Sequence, residues 1–170
     1  MLVRRHQAVA YRVAMRIVGP DDADDVTQDA FLQAFHRLAR FRGEGPFRAW
    51  LLQIVRNTAL NAVDARRSEP HAAIAELAEV RGGAEHERTP VDQLEGTERR
   101  ERLEQKVRML PLSHRAVLVL RDIEGLSYEE VATATETPLG SVKGRLYRAR
   151  RELIQILREN TYDWGLPDEA

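Results

Sequence analysis

The chain has 170 residues, of which 43% are hydrophobic and 31% charged, a formal net charge of −1, and no cysteine. This composition excludes a disordered chain, a disulfide-stapled secreted domain and a thiolate metal site, and no apolar run approaches the ~20 residues that cross a membrane. Because charges interrupt the N-terminal stretch too often for a signal peptide, we expect a cytoplasmic protein.

The near-neutral total conceals an uneven distribution of charge. Residues 1–68 carry a net charge of +4, residues 69–102 carry −4, and residues 103–170 carry −1. A middle segment that differs in sign from its neighbours predicts a linker between two functional halves.

The first helix is predicted over "RRHQAVAYRVAMRIV", residues 4–18. Val9, Val13 and Ile17 recur there at four-residue steps, which is a helical period. Gly19-Pro20 is predicted to end this helix.

Two further helices are predicted in the first half. Asp21 or Asp22 is expected to cap the second helix, and the glycines and proline of residues 41–46 predict a loop before the third. The apolar side of the second helix is predicted to comprise Val26, Ala30, Phe31, Ala34, Phe35 and Leu38. The apolar side of the third is predicted to comprise Phe47, Leu51, Ile54, Val55, Thr58 and Ala62.

The middle segment, residues 69–96, is rich in glycine, proline and acid and predicts a flexible acidic linker with one short helix near residues 72–80. The predicted organisation is therefore all-α. Two small helical domains, residues 1–68 and 97–160, are joined by this linker, and a tail over residues 161–170 follows.

A helix-turn-helix is predicted within the second domain. Residues 99–110 and 113–123 form its first helices, and Ser127 and Glu130 have the spacing of a capping box that starts a short helix ending near Thr135. Thr137 is expected to cap the last helix, with Pro138 at its first position. The second helix of such a motif enters the major groove of DNA.

The last helix has two unlike faces on a wheel of ~100° per residue. Its predicted buried stripe comprises Val142, Leu146, Ala149 and Leu153. The opposite face comprises Lys143, Gly144, Tyr147, Arg148 and Arg151, whose cations can pair with phosphates or guanine edges. A solvated basic surface is the ordinary alternative, but its coincidence with the capping box and turn favours DNA binding.

Acidic residues gather at the start of the second helix: Asp21, Asp22, Asp24, Asp25 and Asp29. They could stabilise the helix N-terminus, bind a hard cation, or dock a basic protein, although the spacing does not match a calcium loop.

A polar stripe on the third helix is formed by Trp50, Asn57, Asn61 and Asp64. Asparagine amides suit base edges and tryptophan offers a stacking face, whereas a core tryptophan beside exposed asparagines is the plainer interpretation.

Two long stretches carry a family resemblance. "DDADDVTQDAFLQAFHRLARFRGEGPFRAWLLQIVRNTA" (21–59) and "LPLSHRAVLVLRDIEGLSYEEVATATETPLGSVKGRLYRARREL" (110–153) resemble the two conserved domains of bacterial RNA polymerase sigma factors. The resemblance is to the extracytoplasmic-function (ECF) group of the sigma-70 family. It implies a non-enzymatic factor without cofactor or metal that directs promoter-specific initiation.

The resemblance also implies three sets of contact residues. Core polymerase would be bound at its β′ clamp by Asp25, Val26, Gln28, Asp29, Phe31 and Leu32, and also through its β flap. The melted −10 element would be held by Phe41, Trp50, Asn57 and Asn61. The −35 duplex would be read by Ser141, Lys143, Gly144, Arg145, Tyr147, Arg148 and Arg151. An anti-sigma protein is a further expected partner, and membrane insertion is not expected.

The sequence departs from the family pattern in two places. Met1 falls about where the second family helix begins, and Gly144 stands where serine is more usual, so its contact with DNA would involve the backbone alone. A polymerase-independent operator-binding regulator is the main rival interpretation. An enzyme is the weaker rival, because no catalytic triad, phosphate loop or HExxH motif occurs.

Overall fold

Every regular element described by the computed structural model is helical, which confirms the all-α prediction. The model describes residues 2–68, 90–159 and 162–166, with the backbone alone for Leu2 and residues 90–95. The α-helices are α1 (Leu2–Val18), α2 (Pro20–Arg37), α3 (Phe47–Ser68), α4 (Pro90–Met109), α5 (Leu112–Leu118), α6 (Tyr128–Thr135) and α7 (Leu139–Arg158). A 3₁₀ turn (Leu38–Arg40) follows α2, and a π turn (Val119–Ile123) follows α5.

The first half is a unit of three helices, in which α1, α2 and α3 pack against one another. Val9, Val13 and Ile17 are buried, as the period of α1 predicts. The turn from α1 to α2 depends on Gly19, whose φ of 93° lies in the region that favours glycine.

The prediction that Asp21 or Asp22 caps α2 is wrong. The N-cap is Gly19, and both aspartates lie in the first helical turn. Pro20 explains the earlier start, because its fixed φ suits the first helical position and its missing N–H removes one donor that would need a partner. The two carboxylates still favour the helix through its macrodipole.

The buried side of α2 is narrower than its sequence predicts. Val26, Ala30 and Ala34 are buried, whereas Phe35 is 75% exposed and Leu38 is 40% exposed. The prediction that these two side chains face the core is therefore wrong. Alanines line the contact and let α2 approach its neighbours closely, which leaves the phenylalanine at the rim without space inside.

The predicted face of α3 is confirmed. Leu51, Ile54, Val55 and Thr58 are buried, and Phe47 and Ala62 are partly buried against the same core. Thr58 satisfies its buried hydroxyl by donating to the main-chain oxygen of Ile54 at 2.9 Å.

The second half begins earlier than the sequence predicts. Since α4 starts at Pro90, the backbone of residues 90–96 is helical where a linker was expected. The predicted short helix over residues 72–80 lies outside the described residues. The boundaries of the two domains remain predictions.

The core of the second half is built from α5, the π turn, α6 and α7, with Leu120, Leu126, Val131, Val142 and Leu146 fully buried. These side chains and the buried side chains of the first half form one continuous apolar cluster. The described tail folds back, because Trp164 is 8% exposed and its main-chain oxygen accepts from Arg99 at 2.8 Å.

Candidate nucleic-acid interface

The helix-turn-helix predicted from the sequence is present, with α6 and α7 as its two helices. Its capping box is complete: the Ser127 N–H donates to the Glu130 carboxylate at 2.7 Å, and the Glu130 N–H donates to the Ser127 hydroxyl at 3.1 Å. Two N–H groups at the start of α6 are thereby satisfied, a feature worth about 1 kcal/mol in comparable helices.

The turn between α6 and α7 contains a left-handed residue, Glu136, with φ 51° and ψ 42°. The Thr137 N–H donates to the main-chain oxygen of Ala132 at 3.0 Å, which closes α6. The prediction that Thr137 caps α7 is wrong. Its hydroxyl donates back to the Thr135 oxygen at 3.0 Å, and Pro138 occupies the N-cap.

The two faces of α7 are those that the helical wheel predicts. Val142, Leu146 and Ala149 are at most 1% exposed, and Leu153 packs against the same core. The exposed side chains on the other face are Ser141, Lys143, Tyr147, Arg148 and Arg151, with Gly144 among them. A cationic surface on the second helix of the motif therefore faces outward, where the major groove of a duplex can reach it.

The basic residues of α7 differ in what already holds them. The Arg150 guanidinium donates two hydrogen bonds to Asp122, at 2.6 and 2.8 Å, and this pairing raises the pKa of Arg150. Arg145 is half-buried and donates to the Thr137 hydroxyl at 2.9 Å. By contrast, Arg148 is exposed and has no carboxylate partner among the described residues, so its charge is available to a phosphate.

A cluster of aromatic rings surrounds Trp50 in the first half. Phe41 lies 5.1 Å from Trp50 between ring centroids, Phe47 lies 5.4 Å from it, and the two phenylalanines are 5.5 Å apart. Phe41 and Trp50 are half-buried, so each keeps an accessible edge beside the 41–46 loop.

His6 joins this cluster from α1, with its ring 5.3 Å from that of Phe47. Burial, followed by the charges of Arg5 and Arg48, lowers the pKa of His6. Sequence reasoning missed His6, because no local pattern links a residue of α1 to a ring more than forty positions away.

The predicted asparagine stripe lies on α3, but its first member is occupied. The Asn57 oxygen accepts from Arg56 at 2.9 Å, and its amide nitrogen donates to the carboxylate of Glu136 at 2.9 Å. Asn61 is exposed one turn further along. The helix-turn-helix turn thus contacts the stripe on α3, a contact that the sequence did not predict.

The residues expected to bind a protein partner lie on α2. Asp25, Gln28, Asp29 and Leu32 are exposed, Phe31 is half-buried, and Leu32 is 60% exposed. Val26 is 4% exposed and belongs to the core, so its side chain is not available to a partner in this arrangement. Sequence reasoning missed Phe35, which is exposed on the same helix.

The acidic cluster shows one defined interaction, an ion pair between Asp22 and Arg66 of α3 at 2.7 Å. Within the described ranges, no group of three or more acidic or histidine side chains could hold a metal ion. The structure gives the hard-cation interpretation no support. In the same part of the chain, no helix is long and apolar enough to cross a membrane.

Comparisons with known proteins agree with the fold and with the positions of both surfaces. Residues 2–69 match the family model of sigma-70 region 2, and residues 100–153 match that of sigma-70 region 4. The chain is 36% identical to the RNA polymerase sigma-H factor of Pseudomonas aeruginosa over 165 residues, which are 93% of this chain and 85% of that relative. It is 34% identical to the ECF RNA polymerase sigma-E factor of Escherichia coli over 158 residues, 90% and 83% of the two chains.

Two solved structures share the fold. The sigma factor RpoE of Bartonella quintana, crystallised with the anti-sigma factor NepR, matches with a TM-score of 0.74 at 22% identity, covering 92% of this chain and 94% of that one. CnrH, solved in complex with the cytosolic domain of CnrY, matches with a TM-score of 0.67 at 29% identity, covering 94% and 87% of the two chains.

Proposed function

The chain belongs to the sigma-70 family of RNA polymerase sigma factors, in its ECF group, and we propose that its two halves read different parts of a promoter. As a sigma factor it acts with RNA polymerase in promoter-specific initiation of transcription. The observation that carries the division of labour is the exposed cationic face of α7 on a complete helix-turn-helix, while the aromatic and asparagine residues lie on a different helix.

The α7 surface reads the −35 duplex. Lys143 and Arg148 supply cations for phosphates or guanine edges, and Tyr147, 63% exposed, can pack on a thymine methyl or donate to a phosphate. Arg151, Ser141 and Arg145 flank them, and Gly144 lets the backbone approach the groove. The bonds already made by Arg145 and Arg150 favour a positioning role for these two residues.

The α3 surface holds the melted −10 strand. Phe41 and Trp50 offer ring faces on which an unpaired base can stack, and Asn57 and Asn61 offer amides that match a base edge. Flipping a base out of a duplex costs a few kcal/mol, which stacking and hydrogen bonds in such a pocket can offset.

Core polymerase holds the first half through α2 and carries both halves to the promoter. Asp25, Gln28 and Asp29 present negative charge, and Phe31 and Leu32 present apolar surface, toward the β′ clamp. The second half is held at the β flap. Neither DNA contact needs high affinity alone, since the first contact makes the second effectively intramolecular.

An inhibitory anti-sigma protein is a further proposed partner. The support is the resemblance of the chain to the ECF group and its similarity to CnrH, whose structure contains the cytosolic domain of a second protein. We place the protein in the cytoplasm, without catalytic activity of its own, as a factor that works with polymerase on DNA. Copurification from the native cell with no such inhibitor at any growth condition would remove this partner.

The test is run-off transcription with core polymerase and the double variant Lys143→Ala, Arg148→Ala. We expect roughly tenfold lower promoter-dependent transcript, and a slope of log affinity against log salt that is shallower by about 0.9 for each phosphate contact removed. The matched control is Arg150→Gln, on the same helix but already paired with Asp122, which should change both quantities much less.

The same assay separates the rival interpretation. A conventional operator-binding regulator would bind duplex DNA tightly without polymerase, usually as a dimer. Tight, specific duplex binding by the chain alone, together with unchanged initiation by the double variant, would contradict the proposal.

A further inference from the structure

We propose that the free protein closes on itself, with its two halves docked through a buried carboxylate, and that it must open before it can read a promoter. This inference rests on the proposed division of promoter recognition between α3 and α7. Its physical basis is a group named here the Glu124 cluster: Glu124 of the second half and Arg12, Arg16 and Arg48 of the first.

The Glu124 cluster has well-formed geometry. The Arg12 guanidinium donates to both carboxylate oxygens of Glu124, at 3.0 and 2.7 Å, and Arg16 donates to one of them at 3.4 Å. Arg48 donates to the main-chain oxygen of Glu124 at 2.7 Å. The Glu124 side chain is 3% exposed, so its charge is removed from water and depends on these arginines.

Other contacts between the halves extend the interface on both sides of the cluster. Arg16 also pairs with Glu104 of α4 at 3.3 Å, and Arg115 of α5 donates to the main-chain oxygen of Ile17 at 2.8 Å. Beneath them, the apolar cores of the two halves are continuous. Apolar burial favours the docked state, and the polar contacts fix its orientation.

The docked state engages one of the proposed DNA surfaces. The Glu136 carboxylate, in the turn of the helix-turn-helix, accepts a hydrogen bond from Asn57 at 2.9 Å. A carboxylate at this place repels a phosphate backbone as well as occupying the asparagine amide. The −10 surface is therefore obstructed by the module that reads the −35 element.

The docked state is also too short to span a promoter. Because α3 packs on α6 and α6 packs on α7, and packed helices lie about 8–10 Å apart, α3 and α7 are separated by roughly 20 Å. Promoter elements about 25 base pairs apart, at about 3.4 Å per pair, are separated by roughly 85 Å. Polymerase and promoter DNA must therefore select an open form, and the closed population lowers their apparent affinity.

The first experiment measures closure directly by small-angle X-ray scattering. The closed chain should have a radius of gyration near 15–16 Å by the scaling of compact chains. The double variant Arg12→Gln, Glu124→Gln should raise it about 1.3-fold or more, as two smaller bodies separate. The control Asp122→Asn breaks an ion pair of similar geometry within the second half and should leave the radius unchanged. A wild-type radius equal to that of the double variant would overturn the proposal.

The second experiment locks the closed form. The chain has no cysteine, so Arg16→Cys with Glu104→Cys creates one defined pair across the interface, away from both proposed DNA surfaces. Joining the pair with a short, disulfide-containing bismaleimide should reduce run-off transcription with core polymerase at least tenfold, and reduction of the linker should restore it. Equal activity of the linked and reduced forms would overturn the closed-state proposal.

The two experiments distinguish failure of this inference from failure of the proposed function. If the wild-type chain does not initiate transcription with core polymerase, the proposed function is rejected, while scattering still decides whether the halves close. If transcription proceeds but is insensitive to the cross-link, the function stands and the closed state has no inhibitory role.

Discussion

The α7 surface and the α3 surface are built in opposite ways. The cationic face of α7 depends on a short stretch of sequence, because one capping box, one turn and one helical period determine which side chains face outward. The α3 surface depends on residues distant in sequence, since His6 lies against Phe47 and Glu136 bonds to Asn57. A locally encoded surface is complete in the free chain, whereas a surface assembled at long range can be altered by docking of the two halves.

The largest expected effect tests how far the α7 surface depends on its core. Leu146→Ala removes a side chain that is 1% exposed beneath the cationic face, and we expect a loss of about 2–5 kcal/mol in the free energy of unfolding, because a cavity remains. Chemical denaturation measures it. Leu153→Ala, which is partly buried on the same stripe, should cost clearly less. Equal losses would mean that α7 does not pack as described.

A smaller effect, of opposite sign, concerns Gly144. No atom lies within 4 Å of a Cβ built at this position, so Gly144→Ala should stabilise the helix by up to about 1 kcal/mol. If the backbone approaches DNA here, the same variant should weaken promoter binding by the polymerase complex while its melting temperature rises. Higher stability with unchanged promoter binding would show that DNA does not approach this position closely.

The smallest effect belongs to the α3 surface and depends on pH. The lowered pKa of His6 means that the folded protein binds its proton less readily than the unfolded chain, so the stability linked to this group is present above pH 6.5 and is lost as the pH falls through the folded pKa. We expect the melting temperature to fall more between pH 7.5 and pH 5 in the wild type than in His6→Gln. An identical fall in both proteins would show that His6 contributes nothing.

The sequence predicted the features set by neighbours along the chain. Helical periods identified the buried stripes of α3 and α7, and the serine and glutamate spacing identified the capping box of α6. The failures had specific causes: Pro20 displaced the predicted cap at Asp21, and the alanine-lined contact of α2 left Phe35 outside. The exposed positions of the DNA-reading residues followed from periodicity, whereas their roles remain predictions.

The docking of the two halves could not be predicted from the sequence. Arg12 and Glu124 are 112 positions apart, and nothing in the local pattern of either residue distinguishes it from an ordinary exposed charge. Burial of Glu124 depends on the packing of both cores, which the order of residues along one helix does not reveal. Side chains that meet across such a distance are recognised only in three dimensions.

The π turn at Val119–Ile123 sets the angular phase of the chain that follows it. The Glu124 N–H donates to the Val119 oxygen at 2.9 Å, a bond across five residues where a regular α-helix spans four. One residue of helix corresponds to about 100° of rotation, so this single wider turn determines the direction in which the Glu124 carboxylate leaves the backbone. Many side-chain substitutions in α5 would preserve that direction, whereas inserting or deleting one residue there would turn the carboxylate away from Arg12.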